Sequence, residues 1–460
     1  MDREMSSPKN THSLADDPSK DVVVFINDYH EQYGRALKKL AVRLGRPLHG
    51  IMLIDESLKA SGQNLAAPSG ALEELLCDFS SDASLRKVIR QFEDRLLLVC
   101  CSAESSQIHF KRALPHMPYV LGPSESSLEW ATHKGKMREV MGAYDSTLVP
   151  KVQPVASAAD AEVTKVLQAL AFPMIIKPTG LSDSTLVTKV HNEQELRGAL
   201  QRSFAALHDT YKRNRGNGKP SIIVEEFMEG DLYSIDGYVN ASGKVWLLPL
   251  LRSKSAYHMG LEGFYIYQTE TYYELTAEED AAGKRVAEQA IHAIGLRSSI
   301  AHIELYNTAD GWKVIEIAAR SGALRQDVYE VSYGVDHAFN DLLVKIGLPP
   351  EMGDGHRTHS MVFKVYPESE GVVYAVEGVD EARFHPSAYK IMQFTHPGDK
   401  VLPITKGGSV AVQGLLFNGD VAQLRRDVAQ VRSAVKLHID QKLDAGTLID
   451  VPKRAHPVAS

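Results

Sequence analysis

Short apolar runs that alternate with stretches of helical periodicity constrain the start of this chain more than any other feature. Residues 21–26 (DVVVFI), 50–54 and 96–101 are too short for ordinary helices and are apolar at successive positions, as expected of strands buried on both faces. Between the first two, residues 31–44 set Ala36, Leu40, Val42 and Leu44 at helical spacing. Further helical stretches are predicted near 70–78, 84–92 and 105–114, and a short extended piece at 118–121. Strands alternating with helices predict a parallel, doubly wound sheet. The turn after the first strand, Asn27-Asp28-Tyr29-His30, lacks a glycine-rich fingerprint, so no dinucleotide is assigned to it. The loops at the carboxyl ends of these strands are expected to line one wall of a substrate site.

A chain of 460 residues is long enough for two to four modules. With 44% apolar and 24% charged residues, its composition indicates neither disorder nor a fibrous repeat. The formal charge is −7, and lysine and arginine cluster only at Lys212-Arg213-Asn214-Arg215, too few charges to track a nucleic acid backbone. The first twenty residues are polar, and no run of about 18 apolar residues occurs, so neither a secretory signal nor a membrane span is expected. The expected location is the cytoplasm. Cys77, Cys100 and Cys101 offer neither a disulfide framework nor a CxxC metal site.

After residue 124 the pattern changes. A helix is predicted over 129–144 and another over 158–171. Strand 174–177, strand 185–190, helix 193–206, a polar loop at 212–220 and strands 221–226 and 233–239 then make a compact α+β unit that reads as a lid. Strands near 244–252 and 264–268 precede a helix at 277–294 that opens on Thr276-Ala277-Glu278-Glu279, a capping box, and is followed by Gly295. Strands 302–306 and 313–317 are predicted to form a hairpin across Ala309-Asp310-Gly311. A helix at 335–346 leads to Pro349-Pro350, which mark a seam before a β-rich remainder with one helix at 418–434. The expected organisation is a flexible tail (1–20), an N-terminal α/β domain (21–125), a central domain (126–350, with its lid at about 150–240) and a C-terminal β-rich domain (351–460).

Five elements in fixed order carry the chemistry. Lys134 opens a helix, Lys177 ends an apolar strand in IIKP, SIIVEEFMEG occupies 221–230, Glu304 and Glu316 sit on adjacent strands, and Arg320 follows. A lysine held by a buried strand is suited to be a point-charge phosphate ligand. Extended alternation puts Glu225 and Phe227 on one side of their strand and Glu226 and Met228 on the other. Glu304 and Glu316 are twelve residues apart across a tight hairpin, so their carboxylates can converge on one face, a hard oxygen pair suited to Mg²⁺ or Mn²⁺. Arg320 is placed to hold a carboxylate against a phosphate and to stabilise an oxyanion. His302 and His258 are read as structural or solvated histidines.

This order resembles the ATP-grasp superfamily over roughly residues 120–350, above all its L-amino-acid ligases. The resemblance implies an ATP-grasp fold of mixed α/β and α+β content, flanked by the N-terminal doubly wound domain and the C-terminal β-rich domain. It further implies an ATP-dependent ligase that activates a carboxylate as an acyl phosphate and joins it to an amine, releasing ADP and phosphate, as in small-peptide or antibiotic pathways. A purine-pathway or biotin-carboxylase-like ligase, or a nucleotide-binding module that has lost catalysis, is the alternative. By resemblance, Lys134, Lys177, Ser182 and Ser184 meet the phosphates. Glu225 accepts from the adenine amino group, and the backbone of Glu226 and Met228 makes paired bonds to the adenine edge. Glu304 and Glu316 hold the metal, and Arg320 and Lys177 act in catalysis. Arg325 is the candidate for a substrate α-carboxylate. The partners implied are small-molecule acid and amine substrates, with neither nucleic acid nor membrane, and a homodimer is left open. Three departures stand out. Ala318 replaces the usual asparagine metal ligand, the loop after Lys177 is poor in glycine, and Leu232 replaces a ribose-binding glutamate, leaving Asp231 as its substitute.

Overall fold

The structure is a computed structural model that describes residues 14–60, 72–181, 184–214, 216, 218–261, 263–406 and 408–441. Four strands, β1 (Val22–Ile26), β2 (His49–Asp55), β3 (Glu73–Cys77) and β4 (Leu96–Cys100), form a parallel sheet in the order β3-β2-β1-β4. All five residues of β1 are buried, which accounts for its unbroken apolar sequence. The helix Glu31–Leu44 buries Tyr33, Ala36 and Leu40 and ends at Gly45 with φ 64°. On this face Tyr33, Ala36 and Leu40 share a core with Ala338, Phe339 and Leu342, and the Tyr33 hydroxyl donates to Asp341 at 2.9 Å. The helix His337–Lys345 thus ties the central part of the chain to the parallel sheet.

Two expectations fail in this region. The stretch near 70–78 is not helical: its described part holds the edge strand β3, whose conformation is decided by its pairing with β2. Residues 118–121 form turns, not a strand. A third correction follows at 129–144, where the single expected helix is two, Glu125–Thr132 and Lys134–Tyr144. His133 separates them, its Nδ1 accepting from the Lys136 amide at 3.2 Å, so Lys134 becomes the first residue of the second helix.

The lid is an antiparallel sheet of β5 (Val152–Val155), β6 (Met174–Pro178), β7 (Thr188–Val190) and β8 (Ile222–Glu226) in the order β5-β8-β6-β7. The helices Asp160–Ala169 and Glu193–Asn214 back it, packing Val163, Val166, Leu196 and Leu200 against Ile176 and Val224. The second helix runs through residues 212–214, where a loop is expected.

The rest of the chain supplies β9 (Gly230–Val239), β10 (Val245–Leu247), β11 (Leu251–Ser255), β12 (Ile266–Glu270), β13 (Ser299–Thr308), β14 (Gly311–Ala318), β15 (His359–Val365), β16 (Gly371–Glu377), β17 (Ala388–Gln393), β18 (Lys400–Val401), β19 (Val412–Asn418) and β20 (Lys436–Asp440). A nine-stranded sheet follows the order β14-β13-β9-β11-β12-β15-β19-β17, with β10 beside β9, while β18-β16-β20 form a separate small sheet. The large sheet therefore runs unbroken past residue 351, because β15 pairs with β12 on one side and β19 on the other. The capping box at Thr276 and Glu279 is present, and the helix it opens spans Ala277–Ala293. The helix Arg325–Tyr333 has no counterpart among the sequence-based expectations. No described helix is long and apolar enough to cross a membrane.

Candidate active site

A cavity opens between the lid and β9, β13 and β14. Lys177, Glu225, Glu226 and Met228 face it from the lid, Leu232, Glu304 and Glu316 from the large sheet, and Arg320 from the loop after β14. Lys134 reaches it from its helix, and Lys364 and Tyr366, at and just beyond the end of β15, line it too. A contribution from the C-terminal strands is not anticipated from the sequence, since it depends on the sheet's continuity past residue 351.

Lys177 is the penultimate residue of β6, and its ammonium lies 2.7 Å from Glu225 Oε2. Arg138 Nε donates to the other carboxylate oxygen at 2.7 Å, and its Nη2 donates to the Ile315 carbonyl at 2.8 Å. By resemblance Glu225 accepts from the adenine amino group; in the fold its carboxylate is instead the counter-ion of Lys177 and Arg138. Burial pushes the Lys177 ammonium down to about 8, with the nearby Arg138 and Lys134 charges adding to the effect and Glu225 opposing it. Burial works the other way on Glu225, but Arg138 and then Lys177 outweigh it and hold the carboxyl below its ordinary range.

Lys134 Nζ lies 3.0 Å from Glu316 Oε2 and donates to the Leu181 carbonyl at 2.8 Å. Burial disfavours its charge, yet Glu316 and, more weakly, Glu104 and Glu304 keep it above its ordinary value. Lys136, the competing lysine of this helix, is exposed and pairs with Glu129. Glu304 and Glu316 are direct partners in the β13–β14 register, beside a bulge at Glu304 and Leu305, and both face the cavity. Two opposed carboxylates that already draw a lysine fit a hard divalent cation as part of a ligand set, completed by phosphate oxygens and water. Burial raises the Glu304 carboxyl, but His302, then Arg325 and Lys134, hold it below its ordinary range. Arg320 Nε donates to Glu104 Oε2 at 2.6 Å; burial disfavours the guanidinium charge and Glu104 more than restores it.

Other expected residues are placed differently. Glu226 faces the cavity, but its amide donates to the Lys151 carbonyl at 3.1 Å, so that amide is not one of the adenine-edge donors. The strand ends at Glu226, alternation ends with it, and Glu225 through Met228 all line the cavity. Ser184 lines it with φ 54°, a left-handed turn made in a loop without glycine at that position, while Ser182 lies outside the described residues. Asp231 does not reach the cavity. Neighbours on a strand point to opposite faces, and Leu232 takes the cavity side while exposed Asp231 accepts from Arg252 at 2.9 Å. Arg325 does not line the cavity either: its buried guanidinium donates to Ser234 Oγ at 3.0 Å and Thr269 Oγ1 at 3.4 Å. His258 is held by Ser255 and the Gly230 carbonyl, and His302 by Asp236 at 2.5 Å.

Three features escape the sequence reading. Arg138 sits four residues after Lys134, the helical spacing that puts both on one face, and that signal was available. Glu104 meets Arg320 only through tertiary contact. Finally, Lys189 of β7 lies 3.6 Å from the Phe227 ring centroid and 4.7 Å from that of Tyr257, whose hydroxyl it meets at 3.1 Å. Tyr257 stacks on Phe264, so an aromatic clasp joins the lid to these two residues at the rim of the cavity.

A small antiparallel lid closing on a larger antiparallel sheet, with a charged cavity between them, defines the ATP-grasp fold, and residues 170–326 match the family described as ATP-grasp domain. This stretch of the chain has the ATP-grasp fold. Among curated proteins, a D-alanine--D-alanine ligase of Delftia acidovorans is 26% identical over 225 residues, 47% of this chain and 58% of that protein. The chain thus spans little more than half the length of that relative. Among solved structures, an L-amino acid ligase from Bacillus licheniformis superposes with a TM-score of 0.75 over 92% of this chain and 100% of that one, at 18% identity. An N5-carboxyaminoimidazole ribonucleotide synthetase from Thermotoga maritima gives a TM-score of 0.64 over 92% and 100%, at 15% identity. These two likenesses are of fold.

Proposed function

We propose that this chain is an ATP-dependent carboxylate–amine ligase that joins an amino acid to a second amine, a second amino acid being the foremost candidate. One observation carries the reading: three cations, Lys134, Lys177 and Arg320, share a cavity with the opposed carboxylates Glu304 and Glu316. A triphosphate needs such cations, and Glu304 and Glu316 would hold Mg²⁺ or Mn²⁺, which supplies charge neutralisation at the terminal phosphates when bound. Lys177, oriented by Glu225, and Lys134 offset the remaining phosphate charge. The segment Glu226–Met228 offers backbone groups to the adenine. An oxygen of the acid takes the γ-phosphoryl group as ADP leaves; the amine nitrogen then attacks the carbonyl carbon, phosphate departs and the amine loses its proton. Arg320 sits where it can hold the acid and stabilise the oxyanion that develops. The ion pair of Arg320 with Glu104 supports an amino acid as substrate, because a zwitterion presents a carboxylate to the first and an ammonium to the second.

Incubating the protein with ATP, Mg²⁺, each amino acid in turn and hydroxylamine tests the reading. Hydroxamate and ADP should appear in equal amounts for the right acid. AMP and pyrophosphate in their place would exclude γ-phosphoryl transfer.

A further inference from the structure

We infer that Asp236 is a positioning residue that holds Glu304, through His302, and the Arg320 loop, through the Gly322 amide, in one fixed arrangement; the inference rests on the ligase reading above. Asp236 is fully buried in the middle of β9, opposite His302 in the β9–β13 register. Its Oδ1 accepts from His302 Nδ1 at 2.5 Å, and its Oδ2 accepts from His337 Nε2 at 2.9 Å and from the Gly322 amide at 3.2 Å. Both oxygens are therefore engaged, as a buried carboxylate requires.

The three donors lead to different places. With Nδ1 taken, the His302 ring turns its Nε2 toward Glu304, 3.6 Å from Oε1. Gly322 lies two residues after Arg320, and the hydrogen bond its backbone N–H donates to Asp236 pins the loop that carries that guanidinium. A Cβ at Gly322 would fall 2.6 Å from His302 Cε1, so loop and imidazole are pressed together. The third donor, His337, accepts in turn from the Tyr238 hydroxyl at 2.5 Å, and this end of the chain of bonds runs into the core, away from the cavity. One carboxylate thus has a cavity arm and a core arm. Partners of metal-holding carboxylates commonly fix their orientation, and their loss costs roughly 10- to 100-fold in metal affinity.

The two arms can be cut separately. H302N keeps an N–H donor near the position of Nδ1 and removes the part of the ring that reaches Glu304. G322A pushes a methyl group against the imidazole without changing a charge. Y238F removes one buried hydrogen bond from the core arm. Uptake of Mn²⁺ with a non-hydrolysable ATP analogue is followed by the electron paramagnetic resonance of free Mn²⁺, with circular dichroism reporting the fold and thermal melts the stability. H302N and G322A should each weaken Mn²⁺ uptake about 10-fold or more, whereas Y238F should lower the melting temperature and leave uptake within about twofold. Unchanged uptake in a folded H302N or G322A, or an equal loss in Y238F, would overturn the inference while leaving the ligase reading intact. Failure of the unaltered chain to take up Mn²⁺ with the nucleotide would overturn both.

Discussion

Lys134 Nζ lies 3.0 Å from Glu316 Oε2, so a cation from the first turn of one helix rests on a carboxylate proposed to hold a metal ion. Ligand entry must therefore redistribute charge rather than simply fill space, with Lys134 exchanging its carboxylate partner for phosphate as a divalent cation takes Glu316.

Glu316→Gln keeps the side chain's shape and removes that charge. About a hundredfold loss of kcat is expected, in the range found when one group that stabilises transition-state charge is removed, and raised Mg²⁺ or Mn²⁺ should restore it only in part. Steady-state rates across a metal titration check this, and full activity at ordinary Mg²⁺ would exclude Glu316 as an essential ligand.

The depressed ammonium of Lys177 sets a pH dependence. Because burial lowers it to about 8, its charge is present below that pH and lost above it in the nucleotide-free protein. Affinity for a non-hydrolysable ATP analogue should fall as pH rises through about 8, and Lys177→Ala should bind weakly with no such step. Calorimetry at a series of pH values measures both, and an identical alkaline step in the alanine variant would assign it to another group.

Arg138 and Glu225 form a buried pair, and removing one partner leaves the other charge without its counter-ion. Arg138→Met should cost about 3 kcal/mol or more of stability, read from denaturant melts. A loss below about 1 kcal/mol would show that Lys177 alone satisfies Glu225.

The clasp of Lys189 with Phe227 and Tyr257 bridges lid and rim. Cation–π contacts of this kind contribute about 1 kcal/mol, so Lys189→Ala should speed nucleotide release roughly fivefold with little change in the melting temperature. Stopped-flow displacement of a fluorescent ATP analogue would detect the change, and an unaltered release rate would mean that the lid opens without breaking the clasp.

What could be read from the chain was local. The Lys177 strand, the capping box at Thr276 and the Glu304–Glu316 pair each rest on a few neighbouring residues, since strand alternation and a tight hairpin fix side-chain direction over short spans. The same local logic misled at β3, whose conformation is decided by pairing with β2, and at Asp231, where a one-residue step along β9 decided which face met the cavity.

The tertiary structure decided the electrostatics. Arg138 meets Glu225 across 87 residues of sequence, and Arg320 meets Glu104 across 216. Asp236 gathers His302, His337 and Gly322 from three separate elements. No periodicity records such contacts, because they follow from how strands of one long sheet are ordered and how a lid sits over it. The sequence by itself determined which residues bear charge and which strands and helices carry most of them. The fold alone determined which charges are buried together, and burial is what turns an ordinary lysine, glutamate or arginine into one part of a coupled site.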